Sequence, residues 1–330
     1  MNILITGASG YLGRLLVQRL NDRQTGPAIN IIAADIRDEP GFELNDRTVY
    51  MKLDVRSPDV NHIMAKNQID TVVHLASIVT PGKKSNREFE YSVDVLGTEN
   101  ILKSCVRNKV KRIIVTSSGA AYGYHKDNPE WITEKEKVRG NEEFAYAHHK
   151  KLVEQLLEKY RLDHPELEQT IFRIGTILGK TVNNQITALF EKKVMLGISG
   201  SDSPFVFIWD QDVVRCLEQA VFSSVSGIFN VAGDGKLTVY EIADILNKPV
   251  LKVPALLMKT ILFVLKRLSL TQYGEEQVNF LRYRPVLDNK KLKTVFGYTP
   301  AYTSKEVFDF YITKNERMKD RHFHHNIKSV

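Results

Sequence analysis

MNILITGASGYLGRLL, residues 1–16, is the stretch whose reading decides the fold. Ile3, Leu4 and Ile5 form an unbroken apolar run, the mark of a short strand buried on both faces. Thr6 and Gly7 open a turn, and Gly10 and Gly13 complete the spacing T-G-x-x-G-x-x-G. Leu12, Leu15, Leu16 and Leu20 then recur at helical spacing. Gly7 allows a turn that a Cβ would obstruct, Gly10 lets the backbone approach a pyrophosphate, and Gly13 lets the helix pack closely. The helix N-terminus adds free N–H groups and a positive dipole end. This order implies a dinucleotide-binding unit, with Gly7, Ser9, Gly10, Tyr11, Leu12 and Gly13 at the cofactor.

Outward from that stretch, apolar strand candidates at 29–34, 48–53, 71–75, 112–116 and 169–174 alternate with helical stretches at 11–21, 58–66, 87–108 and 141–162. Such alternation predicts an α/β fold, a doubly wound parallel Rossmann sheet covered on both faces. After Gly175 the pattern changes to helices at 183–193, 211–222 and 240–246, with short strands at 205–208 and 227–231. From Pro254 the chain reads as mostly helical, with loops at 283–285 and 297–300. Residues 1–174 are therefore expected to form the cofactor domain. Residues 175–330 form a smaller, mostly helical substrate-binding cap, with 205–235 returning to the sheet.

A chain of 330 residues with 43% hydrophobic content can bury a sizeable core. The net charge of +7 is scattered in short clusters such as Lys83-Lys84, Lys109-Val110-Lys111-Arg112 and Lys290-Lys291, which suits a solvated basic surface. No nucleic-acid motif accompanies it. Cys105 and Cys216 show neither metal nor disulfide spacing and read as buried free thiols in a reducing compartment. With the first strand at residue 2 there is no place for a secretory leader, and a cytoplasmic protein is expected. The most apolar stretch, 253–265, is too short to span a membrane and contains Lys259. His322, His324 and His325 read as exposed tail residues, and no metal is expected.

Asp35 ends the second strand candidate. A carboxylate about 20 residues beyond the glycine loop bonds the adenosine ribose and repels a 2′-phosphate, which favours NAD over NADP. Arg37 works the other way, since a guanidinium neutralises a phosphate. Ile36 beside it, and Asp54 and Val55 after the third strand, are placed at the adenosine, although Asp54 also suits a turn or helix cap. Tyr146-Ala147-His148-His149-Lys150 is a second constellation. On a helix, i and i+4 share a face, so the Lys150 ammonium can lie near the Tyr146 phenol, where a cation stabilises phenolate. His148 and His149 are expected to face solvent. Val115-Thr116-Ser117-Ser118 leaves the fifth strand at the carboxyl edge, where a serine hydroxyl can hold a substrate oxygen.

These stretches, with Asp70-Thr71-Val72-Val73-His74-Leu75-Ala76-Ser77 and Ser117-Ser118-(x)3-Tyr122-Gly123, resemble the extended short-chain dehydrogenase/reductase superfamily, nearest its NAD-dependent epimerase/dehydratase family. Arg173 with Gly179, Asp212, and Phe229-Asn230-Val231-Ala232-Gly233 extend the resemblance, which continues weakly through Arg284-Pro285-Val286-Leu287-Asp288 to Phe296-Gly297-Tyr298. The resemblance implies hydride transfer at a nicotinamide, with Tyr146 as general acid/base, Lys150 as its electrostatic partner and Ser118 orienting the hydroxyl. It adds Leu75, Ala76 and Ser77 to the cofactor set, and implies a homodimer on the helices at 87–108 and 141–162.

Departures from the family pattern narrow the substrate. Where the 4,6-dehydratase branch has Thr-Asp-Glu, this chain has Ser118-Gly119-Ala120, without an acid pair to expel water. Asp94 stands where family members often have Asn, which puts a backbone-positioning role in doubt. Against the UDP-sugar epimerases, Gly175-Thr176 replaces an Asn, and Phe205 replaces the diphosphate-clamping Arg. Arg282 or Arg284 could supply that cation, or lie on the surface. The substrate-site candidates are thus Thr176, Phe205, Arg282 and Arg284. Phe205, Phe207 and Trp209 alternate on one strand face, which suits a pocket wall or core packing. The stretch 254–268 suits a cap helix, a dimer contact, or a helix lying on a membrane as in dehydrogenases of lipid or steroid alcohols. The leading expectation is an NAD-dependent enzyme of the epimerase type acting on a small molecule such as a nucleotide sugar. The alternatives are a dehydrogenase or reductase of an apolar alcohol or ketone, and a non-catalytic NAD sensor or assembly protein.

Overall fold

A computed structural model describes residues 1–79, 86–268, 270–271 and 274–315. Lys83, Lys84 and the histidines at 322, 324 and 325 lie outside these residues. Strands β1 (Asn2–Thr6), β2 (Asn30–Asp35), β3 (Thr48–Lys52), β4 (Thr71–His74), β5 (Arg112–Ser118) and β6 (Glu168–Ile174) alternate with helices α1 (Tyr11–Asn21), α2 (Asp59–Lys66), α3 (Arg87–Tyr91), α4 (Gly97–Arg107) and α5 (Ala145–Asp163). A π-helical turn, Ser92–Leu96, joins α3 to α4. Then follow β7 (Thr176–Leu178), α6 (Gln185–Phe190), β8 (Met195–Ile198), β9 (Phe207–Trp209), α7 (Asp210–Phe222) and β10 (Gly227–Val231). The last elements are α8 (Val239–Ile245), β11 (Val250–Val253), α9 (Ala255–Arg267), α10 (Gln277–Arg282) and α11 (Ser304–Lys314).

The main sheet is wholly parallel, in the order β10-β6-β5-β4-β1-β2-β3. Alternate residues of β1 serve opposite faces, as the two-residue period of a strand requires. Ile3 and Ile5 pack with Leu16, Leu20, Val213 and Leu217 of α1 and α7. Leu4 packs with Val60, Ile101 and Leu157 of α2, α4 and α5. Burying each such side chain stabilises the fold by about 1.5–3 kcal/mol. Both cysteines are buried and unpaired. Strand order reverses at β1 and β4, so the crevice beyond their carboxyl ends is the switch point where open α/β sheets bind ligands.

Several boundaries differ from the sequence expectation. Helix α5 starts at Ala145, four residues late, because Asn141 is held in a loop where its side-chain oxygen accepts the Tyr124 N–H at 2.7 Å. Asparagine competes for backbone groups in this way and disfavours helix interiors. Phe205 precedes β9 and forms an antiparallel bridge with Leu237. Of the segment 205–235, β10 enters the main sheet beside β6, while β9 pairs with β7 in a separate two-stranded ribbon. No helix among the described residues is long and apolar enough to cross a membrane.

Candidate active site

The floor of the crevice is made by the loops leaving β1 and β4. Gly7 has φ +70°, and a Cβ there would lie 2.7 Å from the Ala76 nitrogen, so the two loops touch only because residue 7 is glycine. A Cβ on Gly13 would stand 2.2 Å from the Gly7 carbonyl oxygen, where α1 starts against its own loop. Gly10 is the N-cap of α1, with no capping side chain and no acidic residue in the first turn. The N–H groups of that turn remain available to an anion. The Tyr11 hydroxyl is turned to the Asp210 carboxylate at 2.5 Å, so Tyr11 braces α1 against α7 and offers the crevice its backbone.

Asp35 is buried, accepting the Ser9 N–H at 3.0 Å and the Arg37 N–H at 3.2 Å. Its remaining lone pairs are available to ribose hydroxyls. Arg37 bends back onto the Ser9 carbonyl, and Ile36 is exposed. Asp54 accepts the Arg56 backbone N–H and its guanidinium at 2.9 Å, and this pairing holds its pKa below the usual range. Val55 is buried against Gly97. Ser77, beside Leu75 and Ala76, has a buried hydroxyl without a partner among the described residues. An unused hydroxyl, an uncapped helix and a glycine cradle together fit a dinucleotide.

Helix α5 presents Tyr146, His149, Lys150, Val153 and Glu154 along one face, because residues three and four apart align. Lys150 is buried, donates to the Thr116 carbonyl at 3.0 Å, and lies 5.7 Å from the centre of the Tyr146 ring. Ser118 ends β5 with its Oγ accepting the Ala120 N–H at 3.2 Å, which leaves its own hydrogen for another oxygen. Beneath them, the Ser117 hydroxyl donates to Glu154 at 2.5 Å, and Glu154 also accepts the Arg173 Nε–H, shared between its oxygens at 2.9 and 3.0 Å, and a bond from Arg173 Nη2 at 2.5 Å. Arg173 also donates to the Tyr122 hydroxyl, which donates to Asn230 Oδ1, each at 2.8 Å. Burial pulls the Arg173 pKa down, but the bonds and charge of Glu154 outweigh it, so the ion stays charged.

His149 is buried rather than solvent-facing, because its place on α5 is the inward one. Its Nδ1 lies 3.6 Å from Asp94 Oδ2. Asp94 accepts the Ile78 N–H at 2.8 Å, so the carboxylate holds the backbone after Ser77. His148 is half-buried and meets Arg87 at 3.1 Å. Deeper still, His74 bonds the Thr6 hydroxyl at 2.7 Å and the Thr98 hydroxyl at 3.0 Å. Thr98 gives its own hydrogen to the Asp94 carbonyl at 2.5 Å, so it accepts from His74 Nε2–H, and Nδ1 accepts from Thr6. Burial, helped by the Lys150 charge, pushes this neutral ring down to a pKa of about 4.

Across the crevice, Arg284 is buried, its Nε has no partner, and its guanidinium carbon lies 3.9 Å from the Phe205 ring centre and 4.9 Å from that of Phe280. A single bond to the Leu281 carbonyl at 3.4 Å satisfies Nη1. Burial pushes its pKa down to about 9, which leaves it a cation at neutral pH. Burial raises the Tyr124 pKa, with the Tyr146 charge adding to the rise and Arg284 opposing it, and Tyr124 and Arg284 both pack on the Phe280 ring, at 5.0 and 4.9 Å. Arg282 likewise has a buried, unpartnered Nε. Thr176 is half-buried, its N–H bonded to the Val206 carbonyl at 3.1 Å. Phe205 lies in the core with Phe190 and Phe207.

The sequence profile of the NAD dependent epimerase/dehydratase family matches residues 3–232. The chain belongs to that family of enzymes. It is 23% identical to an uncharacterized protein of Mycobacterium tuberculosis over 94% of this chain and 82% of that one. It is 30% identical to a UDP-glucose 4-epimerase of Yersinia enterocolitica over 54% of each. The fold matches a UDP-glucose 4-epimerase of Thermotoga maritima, crystallised with UDP-glucose, at a TM-score of 0.71 and 20% identity, covering 95% of this chain and 98% of that one. Within the family frame, sequence reasoning missed Glu154 and Tyr124. Glu154 carried a signal, lying four residues past Lys150 on the same helical face; Tyr124 carried none, because a loop places it.

Proposed function

We propose that the protein is an NAD-dependent, sugar-nucleotide epimerase-like enzyme in which Ser118, Tyr146 and Lys150 move the proton. NAD would be held by the α1 N-terminus and Gly7–Gly13, by Asp35 at the ribose, and by Ser77 and Lys150 near the nicotinamide. When bound, NAD supplies the acceptor and then the donor of the hydride. Ser118 donates a hydrogen bond to the substrate oxygen, and Tyr146 Oη takes the hydroxyl proton as the adjacent C–H bond breaks. The Lys150 charge favours the phenolate that this step requires. Proton return from Tyr146 completes the turnover after the keto sugar has presented its other face.

The observation that carries the substrate class is Arg284. A buried guanidinium with one long hydrogen bond is unstable by itself and is suited to a diphosphate, which offers paired oxygens at matching spacing. It stands over the ring of Phe205, which aligns with the clamping Arg of the UDP-sugar epimerases, and this proximity supports Arg284 as the cation that meets the diphosphate. An apolar alcohol would leave that charge unanswered. The test is mass spectrometry of ligand released from freshly purified, denatured protein. Bound NAD together with a uridine or other nucleoside diphosphate supports the reading. Binding of an apolar alcohol with stoichiometric NADH release, and no affinity for nucleoside diphosphates, overturns it.

A further inference from the structure

Helix α9 contains no buried residue. Ala255, Met258, Leu262 and Leu265 are half-buried and turn toward the protein. The outward face carries Leu256, Leu257, Ile261, Phe263 and Val264, with Leu268 just beyond; Leu256 is 78% and Leu268 61% exposed. Solvated helices normally place charge on this face. From Asn247 to Gly274 the sequence has Lys248, Lys252, Lys259, Lys266 and Arg267 and no Asp or Glu. Lys252, Lys266 and Arg267 are exposed at the two ends of the apolar face. Glu276 meets Lys266 at 3.5 Å from the α10 side.

We infer that α9 docks the enzyme onto an anionic lipid surface. Thirteen residues make a helix of about 20 Å, short of the ~30 Å hydrocarbon core, so it lies in the interface rather than across it. An apolar face flanked by cations matches acyl chains bordered by anionic headgroups. A second copy of the chain matches it poorly, since apposed α9 helices would bring the same cations together without an acid between them. Helix α10, which carries Arg282, packs against α9, so docking sets the arginine side of the crevice beside the bilayer.

The test is co-sedimentation of the full chain with phosphatidylcholine vesicles, with and without about one-third phosphatidylglycerol. Binding to the anionic vesicles alone, weakened by salt, is expected. L256S/L257S/F263S should abolish it, and K266Q/R267Q should weaken it roughly tenfold or more, each with unchanged circular dichroism and NAD content. Absence of binding to anionic vesicles overturns the inference, as does binding that survives the serine substitutions. So does a dimer, seen by light scattering, that those substitutions dissociate.

Discussion

Tyr146 and Lys150 share one face of α5, and the Lys150 ammonium is fixed by the Thr116 carbonyl, not by the phenol itself. Tyr146→Phe should therefore lower turnover by about 10²–10⁴-fold while leaving NAD content intact, read from steady-state rates and ligand extraction. Arg284→Met separates binding from stability. Removing a buried charge held by one long hydrogen bond, with no carboxylate beside it among the described residues, should leave the unliganded melting temperature unchanged or higher. Affinity for UDP, measured by calorimetry, should fall about 10–100-fold for the lost charge-assisted bonds. Both residues were legible in the sequence, Tyr146 through its spacing to Lys150 and Arg284 as one of two cations left near a presumed diphosphate. Their difference was not. Which arginine is buried depends on Phe205, about 80 residues away in the chain, closing over Arg284 opposite the neighbouring Phe280.

Among the elements, β1 and β4 decide the crevice because their loops touch at Gly7 and Ala76. The glycine pattern showed this, since spacing alone marks where a backbone must approach another. Gly13→Ala should destabilise the fold by about 1–3 kcal/mol in urea unfolding, because its methyl would meet the Gly7 and Ala8 carbonyls. Between the same strands, burial, helped by the Lys150 charge, keeps His74 neutral, with a pKa of about 4 against 6.5 when unfolded. Above pH 6.5 the ring is neutral in both states and adds no pH dependence. As pH falls from 6.5 toward 4 the unfolded chain takes up a proton that the folded chain does not, so stability drops by about 3 kcal/mol in all. His74→Gln should flatten that acid limb in unfolding measured across the interval. The inward turn of His149 was missed because adjacent histidines beside Lys150 and Lys151 look solvated; only the docking of α5 on the π-helical turn shows which face is inward.

At the scale of the molecule, strand–helix alternation made the parallel sheet legible, and the switch point followed from its order. The region after β6 was less legible. Its short strands pair with one another or with the far sheet edge, and no local pattern distinguishes these outcomes. In the proposed reading, the α5 face carrying Tyr146 and Lys150 transfers the proton and the buried Arg284, held between Phe205 and Phe280, receives the diphosphate. That combination suits a substrate whose ring reacts while its diphosphate is held. The central claim is that the hydride is returned within each turnover. Proton NMR of a panel of UDP-hexoses incubated with the purified enzyme and no added cofactor tests it directly. The account predicts that one sugar converts to its ring epimer with total nucleotide sugar conserved and no NADH accumulating. Oxidised sugar appearing in step with NADH, without any inverted sugar, would contradict it.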